Sequence, residues 1–390
     1  MISEEEARQK ILGTVTPLGA RKLPVLQVLG RFAAEDYFAR LPLPVFDNSA
    51  MDGYAVIASA SRKGARLRLT GEQPAGADRN LRVSNGNAVR IFTGAPMPAG
   101  ADAVVMQEDV TRDGDEILIN TDVAPDEFVR RRGCDLGMGQ KILTAGDQIT
   151  APIAGLLASQ GLDEIAVGGD VRVAIISTGD ELINPGEKLH PGQIYDGNSP
   201  LLQGLVKRYG AIVASSQRCS DDANSLREAL HAAAKNEIVV VTGGVSVGER
   251  DLVQKTLRGL GAEIDIWRVA IKPGKPFLFG RLENAFVFGL PGNPVSAFVT
   301  FLQFVRPAIL KMMSATDLAL PKVSARLTVD LFNDGERAHY FRGKFEQGAF
   351  GPIGRQESHA LFGLSQSNGL LRLAPGESCK RDELVEVQVW

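Results

Sequence analysis

The chain has 390 residues, with 43 Lys and Arg against 46 Asp and Glu, a net charge of −3. That length predicts about two to four domains, and the charge balance offers no global basic field for nucleic acid. A hydrophobic share of 44% with 23% charged residues is ordinary for a globular protein, and no apolar run reads as a membrane span.

In chain order, Ser3 to Leu12 predicts a short helix, with Ser3 as N-cap and Glu4 to Glu6 at the positive end of the helix dipole. This acidic opening has no basic segment followed by an apolar core, so no secretory leader is expected there. Leu41-Pro42-Leu43-Pro44 marks a stiff extended connection. From Val45 to Leu143 short strand patterns alternate with Gly and Pro: ARLRLTGE, AVRIFTG, ADAVVMQEDV and DEILIN, as in a β-domain. Thr150 then caps a helix, IAGLLASQG, with Pro152 in its first turn. We expect this helix to return to the N-terminal one, which makes the β-region an insertion.

Between Val171 and Met313 strands and helices alternate. Strands VRVAIIST, AIVASSQR and EIVVVTG are followed by helical PLLQGLVKRYG, SLREALHAAAKN and LVQKTLRGLG. This is a βαβ series and implies a parallel sheet with right-handed crossovers. PFLFGRLENAFVFGL reads as a hairpin, and Asn293-Pro294 opens a long helix as N-cap and first residue. From Leu320 onward short strands and Gly/Pro turns return. The expected division is residues 1–42 with 144–170 as a discontinuous helical domain, 43–143 as an inserted β-domain, 171–315 as the α/β domain, and 316–390 as a C-terminal β-domain.

The chemistry concentrates between Glu237 and Lys275. Ile238 to Val241 is a β-branched run suited to a strand buried on both faces, and Thr242-Gly243-Gly244 turns toward a helical pattern beginning at Asp251. Ligands of open α/β sheets sit at such strand ends. There, glycine admits close backbone approach, and Gly243, Gly244 and Ser246 are candidate phosphate contacts. Asp180-Glu181 and Asp221-Asp222 follow neighbouring strands, so Glu181, Asp221 and Asp251 could converge on Mg2+, which favours few carboxylates, water and phosphate oxygens. Asp180 and Asp222 serve equally well as helix or turn caps. Lys272 and Lys275 flank Pro273-Gly274 on a stiff loop and suit an oxyanion, and Arg268 adds a cation or an outward strand position. In the β-region Asp47-Asn48 reads equally as an Asx-turn, and Arg130-Arg131-Arg132 as a solvated run or a phosphate grip. Arg337, Arg342, Gln356, Ser358 and His359 form a C-terminal polar set, in which His359 by itself reads as structural. Cys134, Cys219 and Cys379 are widely separated and give neither a disulfide framework nor CxxC spacing, which fits a reducing, cytoplasmic setting. HExxH and GxxxxGK[ST] are both missing, and no Ser/His/Asp order stands out, which disfavours Zn-dependent and nucleophilic chemistry.

DNSAMDGYAV, RIFTGAPMPAGADAVVMQE, STGDEL, GQIYDGNSP, VVVTGGVSVGERD, AIKPGKPFLFG and GLPGNPVSAF occur in this order, and together they resemble the molybdopterin molybdenumtransferase (MoeA) family, to which the E domain of gephyrin-like proteins also belongs. The resemblance implies an elongated homodimer of four-domain subunits whose α/β domain looks like molybdopterin adenylyltransferase. It implies a transferase that takes adenylylated molybdopterin (molybdopterin-AMP) and molybdate, inserts the metal into the dithiolene and releases AMP with Mg2+. Molybdopterin adenylyltransferase and molybdoenzyme maturation proteins become its expected partners. Matching positions give Asp52, Thr93 and Asp135 in the inserted domain, acting with the α/β domain of the other subunit. They give Glu181, Asp221 and Asp251 as pocket acids and metal ligands, and Lys272 and Lys275 as the basic wall. Arg342 and Ser358 fall near molybdate. Two departures stand out: Arg268 replaces the lysine of some relatives, and Glu357 replaces a small residue beside the oxyanion position. Adenylyl transfer or a non-catalytic pterin-binding scaffold are the competing readings of the same α/β domain.

Overall fold

The computed structural model describes residues 1–245 and 252–390. Two compact units make up the chain, one of residues 1–35, 145–154 and 163–390, the other of residues 36–144 and 155–162.

The larger unit begins with α1 (Glu4–Thr14), whose Ser3 side chain accepts from the Glu6 N–H while Glu6 returns a bond to the Ser3 N–H, a complete capping box. The helix Ala151–Ser159 forms as expected. Strand Arg21–Pro24 pairs antiparallel with Glu164–Val167, while α1 packs on the long helix after Asn293. The reason is α1's narrow apolar stripe, Ala7 and Ile11, which is buried in the larger unit's core.

The α/β series folds as β1 (Arg172–Thr178), α2 (Asn198–Arg208), β2 (Ile212–Cys219), α3 (Ala223–Ala233), β3 (Ile238–Thr242), α4 (Leu252–Gly259) and β4 (Glu263–Trp267). The hairpin β5 (Leu278–Leu282) and β6 (Ala285–Leu290) follows, then α5 (Pro294–Met312). The sheet order is β2-β1-β3-β6-β5-β4. The first four strands are parallel, and β5 and β4 add antiparallel at the edge because the hairpin reverses direction. β3 is buried along its whole length. Ile238 and Val240 enter one apolar cluster and Val239 and Val241 the other, the side-to-side alternation of a strand covered on both faces. Contrary to the sequence expectation, α5 is long and apolar enough to cross a membrane, but 94% of its apolar window is buried inside the protein. It is this unit's core helix. Its segment Phe301–Val305 is wound as a π-helix directly before Arg306-Pro307, where proline cannot continue the N–H ladder.

Five strands close a small C-terminal barrel: β7 (Lys322–Leu327), β8 (Ala338–Glu346), β9 (Ala349–Pro352), β10 (Gly369–Leu373) and β11 (Leu384–Val389). The short strand Ile271–Lys272 pairs parallel with β8, placing Lys272 opposite His339.

In the smaller unit, Ala103–Met106, Gly53–Val56, Asn87–Ile91, Arg66–Gln73, Glu116–Ile119 and Val110–Asp113 form one six-stranded sheet in that order. Tyr54 and Val56 face one apolar cluster and Ala55 the other, so this sheet too is covered on both sides.

Candidate active site

The C-terminal ends of β1, β3 and β6 open on a cleft of about 610 Å³, where an α/β sheet places its ligands. Gly243 and Gly244 line it with φ of +88° and +62°, conformations only glycine adopts without strain. A Cβ on Gly243 would lie 2.3 Å from the Thr178 carbonyl oxygen, so the turn is pressed onto the neighbouring strand.

The cleft floor is built around Asp196, a buried carboxylate. Its Oδ1 accepts from the Asn198 and Ser199 N–H groups, both at 3.0 Å, fixing the start of α2. Its Oδ2 accepts from the Ser177 and Ser199 hydroxyls, both at 2.6 Å, tying that helix to the end of β1. Asn198 donates in turn to Thr242 Oγ1 (3.0 Å) and to the Gly292 carbonyl (2.7 Å). Asp196, Asn198 and Thr242 are the framework that the sequence reading passed over. The signal was present in DGNS, an acid two residues ahead of a helix start.

Glu181 and Asp221 both line the cleft and both are exposed. Burial raises the Asp221 pKa, and the negative charges of Asp180 and Glu181 raise it further. Asp180 Oδ1 accepts the Asp221 N–H at 3.0 Å, while Asp222 caps α3 by accepting from Asn224 and Ser225, so each fills a structural role. Ser246 and Asp251, the remaining expected contacts on this edge, lie outside the described residues.

Lys272 and Lys275 do not line this cleft. They line a separate pocket of about 330 Å³ with Arg337, while Pro276 of the same loop lines the cleft. Beside Lys272 sits His339, whose pKa falls to about 4 through burial and then the Lys272 charge. Arg268 is half-buried at φ +74°, and its Nε has no hydrogen-bond partner among the described residues.

Arg342 is only 1% exposed. It donates to the carbonyls of Arg355 and Glu357, the latter at 3.3 Å, and so props the 355–359 loop rather than facing solvent. That loop also meets α5: Asn293 sits at the N-cap position but turns its amide to Ser358 Oγ at 2.9 Å, and the Val295 N–H donates to the Ser358 carbonyl. His359 is not a structural core residue. It lines the cleft, with Nε2 3.4 Å from Glu357 Oε2.

In the smaller unit Asp52 Oδ1 accepts from both the Thr93 N–H (2.8 Å) and the Thr93 hydroxyl (2.7 Å). These bonds lower the Asp52 pKa, the backbone one most. Arg90 lies 5.0 Å over the Tyr54 and Phe92 rings and donates to Gln107 at 2.6 Å. Within the arginine run, Arg131 is spent on Asp47 and Asp126, and the Arg132 N–H also donates to Asp47. Asp135 is exposed nearby in sequence, its N–H donating to the Leu43 carbonyl.

Family models described as the MoeA N-terminal region (domain I and II), a probable molybdopterin binding domain and the MoeA C-terminal region (domain IV) match residues 2–161, 174–311 and 324–390. A molybdopterin molybdenumtransferase of Haemophilus influenzae is 38% identical over 377 residues, spanning 94% of this chain and 93% of that protein. The chain belongs to the molybdopterin molybdenumtransferase (MoeA) family. Molybdopterin molybdenumtransferase 2 of Mycobacterium tuberculosis is 36% identical over 94% of both chains. Among solved structures, the molybdopterin biosynthesis moeA protein of Pyrococcus horikoshii superposes with a TM-score of 0.85 at 30% identity, over the whole of both chains. Most residues lining the strand-end cleft fall in the segment described as a probable molybdopterin binding domain, and His359 and Leu361 fall in the MoeA C-terminal region.

Proposed function

We propose that this protein inserts molybdate into adenylylated molybdopterin and releases AMP, yielding molybdenum cofactor. The observation that carries this reading is the end-to-end likeness to proteins named molybdopterin molybdenumtransferase, 38% identical in one case. The matched N-terminal and C-terminal regions speak against adenylyl transfer, for which an α/β domain alone is expected to suffice.

Glu181, Asp221, Gly243 and Gly244 bind the pterin nucleotide in the cleft, with Ser246 and Asp251 assigned to the same edge by their motif. Lys272, Lys275 and Arg268 offset the charge of phosphate and of the molybdate dianion, which would otherwise repel each other. Ser358 contacts molybdate, and Arg342 acts through the loop that holds it. Asp52, Thr93 and Asp135 serve the cleft of a second copy, making the enzyme a homodimer. We keep the four-domain division given above, a cytoplasmic setting, and molybdopterin adenylyltransferase and molybdoenzyme maturation proteins as partners.

A divalent cation such as Mg2+ fits the acids in part. Among the described residues no group of three His, Cys, Asp or Glu could hold a metal, so Glu181 and Asp221, with Asp251 from its motif, would share it with phosphate oxygens and water. The Asp221 pKa is raised first by burial and then by the negative charges of Asp180 and Glu181, a field that a cation would relieve. When bound, the ion supplies charge neutralisation to the departing AMP phosphate.

The test is AMP release from adenylylated molybdopterin by the full chain with Mg2+, with and without molybdate. Molybdate-dependent release with active cofactor formed is the expected result. Binding without release would overturn the reading in favour of a scaffold.

A further inference from the structure

We propose that His359 and Glu357 form a proton-relay pair at the cleft, carrying thiol protons of the pterin to an oxygen of molybdate during insertion. The inference rests on the transferase reading and adds a catalytic residue to it. Its starting point is a mismatch between a rigid backbone and a free side chain. Arg342 holds the Arg355 and Glu357 carbonyls, and Gln356 bonds both the Arg342 N–H and the Arg342 carbonyl at 3.0 Å. Ser358 is pinned to Asn293 and Val295 at the start of α5. Yet the His359 imidazole is 70% exposed at the cleft, and its one ion-pair partner among the described residues is Glu357, at 3.4 Å. A loop fixed this heavily from both sides, ending in an unburied histidine, positions a reactive group rather than filling a core.

The chemistry of insertion calls for such a group. Two Mo–S bonds form and one Mo–O bond breaks. The oxygen leaves as water, taking the two protons released by the two thiols, and no electrons are exchanged. A group that accepts a thiol proton and returns it to the departing oxygen must change charge near neutral pH. Among the described residues lining the cleft, the other titratable groups are Glu181, Asp196, Asp221 and Tyr195, and histidine is the one side-chain type of this set suited to exchanging a proton near neutrality. Glu357, which replaces the small residue expected there, becomes the group that orients the imidazole. The charges that face His359 are Glu357 on its own loop, Arg342 beneath that loop, and Glu181, Asp196 and Asp221 along the cleft.

The test uses the full chain with adenylylated molybdopterin, Mg2+ and molybdate, following AMP release and cofactor formation across pH. His359→Gln should lower kcat about 100-fold with KM for the nucleotide unchanged, change the shape of the pH–rate profile near neutrality, and recover in part with added imidazole. Glu357→Gln should lower kcat by less than His359→Gln does, because it removes the contact that orients the imidazole and leaves the imidazole itself in place. An active wild type whose His359→Gln variant keeps the wild-type rate and pH profile overturns the relay. So does a slowed variant with an unchanged pH profile and no imidazole rescue, since that marks a structural role. A wild type without molybdate-dependent AMP release refutes the transferase reading itself, and the relay falls with it.

Discussion

Asp196→Ala is the most informative single perturbation of the cleft. The carboxylate accepts four hydrogen bonds at 2.6 to 3.0 Å, two from hydroxyls and two from backbone N–H groups. Hydrogen bonds to a charged group contribute about 1.5–3 kcal/mol each, but four sharing one acceptor are far from additive. Truncation also leaves the buried Ser177 hydroxyl with only the Ser199 hydroxyl, 3.2 Å away, as a partner, so its desolvation is poorly compensated. Together these predict a loss of about 3–5 kcal/mol, the range for breaking a buried polar network. Asp196→Asn keeps the shape. Its amide oxygen still accepts from Asn198 and Ser199, while the serine hydroxyls can rotate to accept from its NH2, so the expected cost is about 1–2 kcal/mol. Urea unfolding gives the global figure. Amide exchange over the first turn of α2 gives the local one, about 100-fold faster for each ~3 kcal/mol of lost protection. If Ala costs less than about 1 kcal/mol and exchange in that turn is unchanged, then water replaces the carboxylate and the framework argument fails.

His339 makes stability pH-dependent. Its folded pKa, about 4, lies below the unfolded value of about 6.5, so the unfolded chain binds more protons between these limits. Stability should therefore be full above about pH 6.5 and fall by up to about 3 kcal/mol as pH drops toward 4, and His339→Gln should flatten that slope in urea titrations. Thr93→Val removes a hydroxyl bond to Asp52 but leaves the backbone N–H, so the Asp52 carboxyl, read by carbon NMR, should titrate higher than in the wild type yet still below about 3.9. The stabilisation from this depressed carboxyl is present above its unfolded pKa and is lost on acidification through the folded one. Gly274→Ala places a Cβ 2.6 Å from Thr300 Cγ2 at φ +123°, so the Lys272–Lys275 loop must shift. Calorimetric affinity for AMP and molybdate should fall together in that variant, and unchanged values for both would remove the lysines from the site.

The α/β series was legible because its signals are local. β-branched runs bounded by glycine gave the strands, Asn293-Pro294 gave the start of α5, and the Leu282–Ala285 turn gave the hairpin. The length and apolar character of α5 as a possible membrane span were missed, because Arg306 and Pro307 interrupt its apolar run, and its burial by elements distant in sequence shows it to be a core helix. The pairing of Arg21–Pro24 with Glu164–Val167 was not legible, because these are four-residue strands with no turn between them. Pairing across such a separation leaves no local trace. Individual site residues were legible as types but less so as roles. The lysine and acid motifs were visible, yet nothing in sequence showed that Lys272 and Lys275 line a different pocket from Glu181 and Asp221.

Arg342 shows why residue type and role separate. An arginine in a polar motif reads as an anion contact because its fork matches oxyanions. The same fork also matches two carbonyls of one loop. Here the carbonyls of Arg355 and Glu357 take it, and the side chain is almost wholly buried as a consequence. The charge still acts on the cleft, but through the loop it fixes. Ser358 and His359 follow directly on carbonyls held by a buried guanidinium, which fixes the loop without exposing a mobile arginine. That division of labour explains how an extra acid at Glu357 is tolerated: its side chain is turned toward His359, and its backbone carbonyl belongs to Arg342.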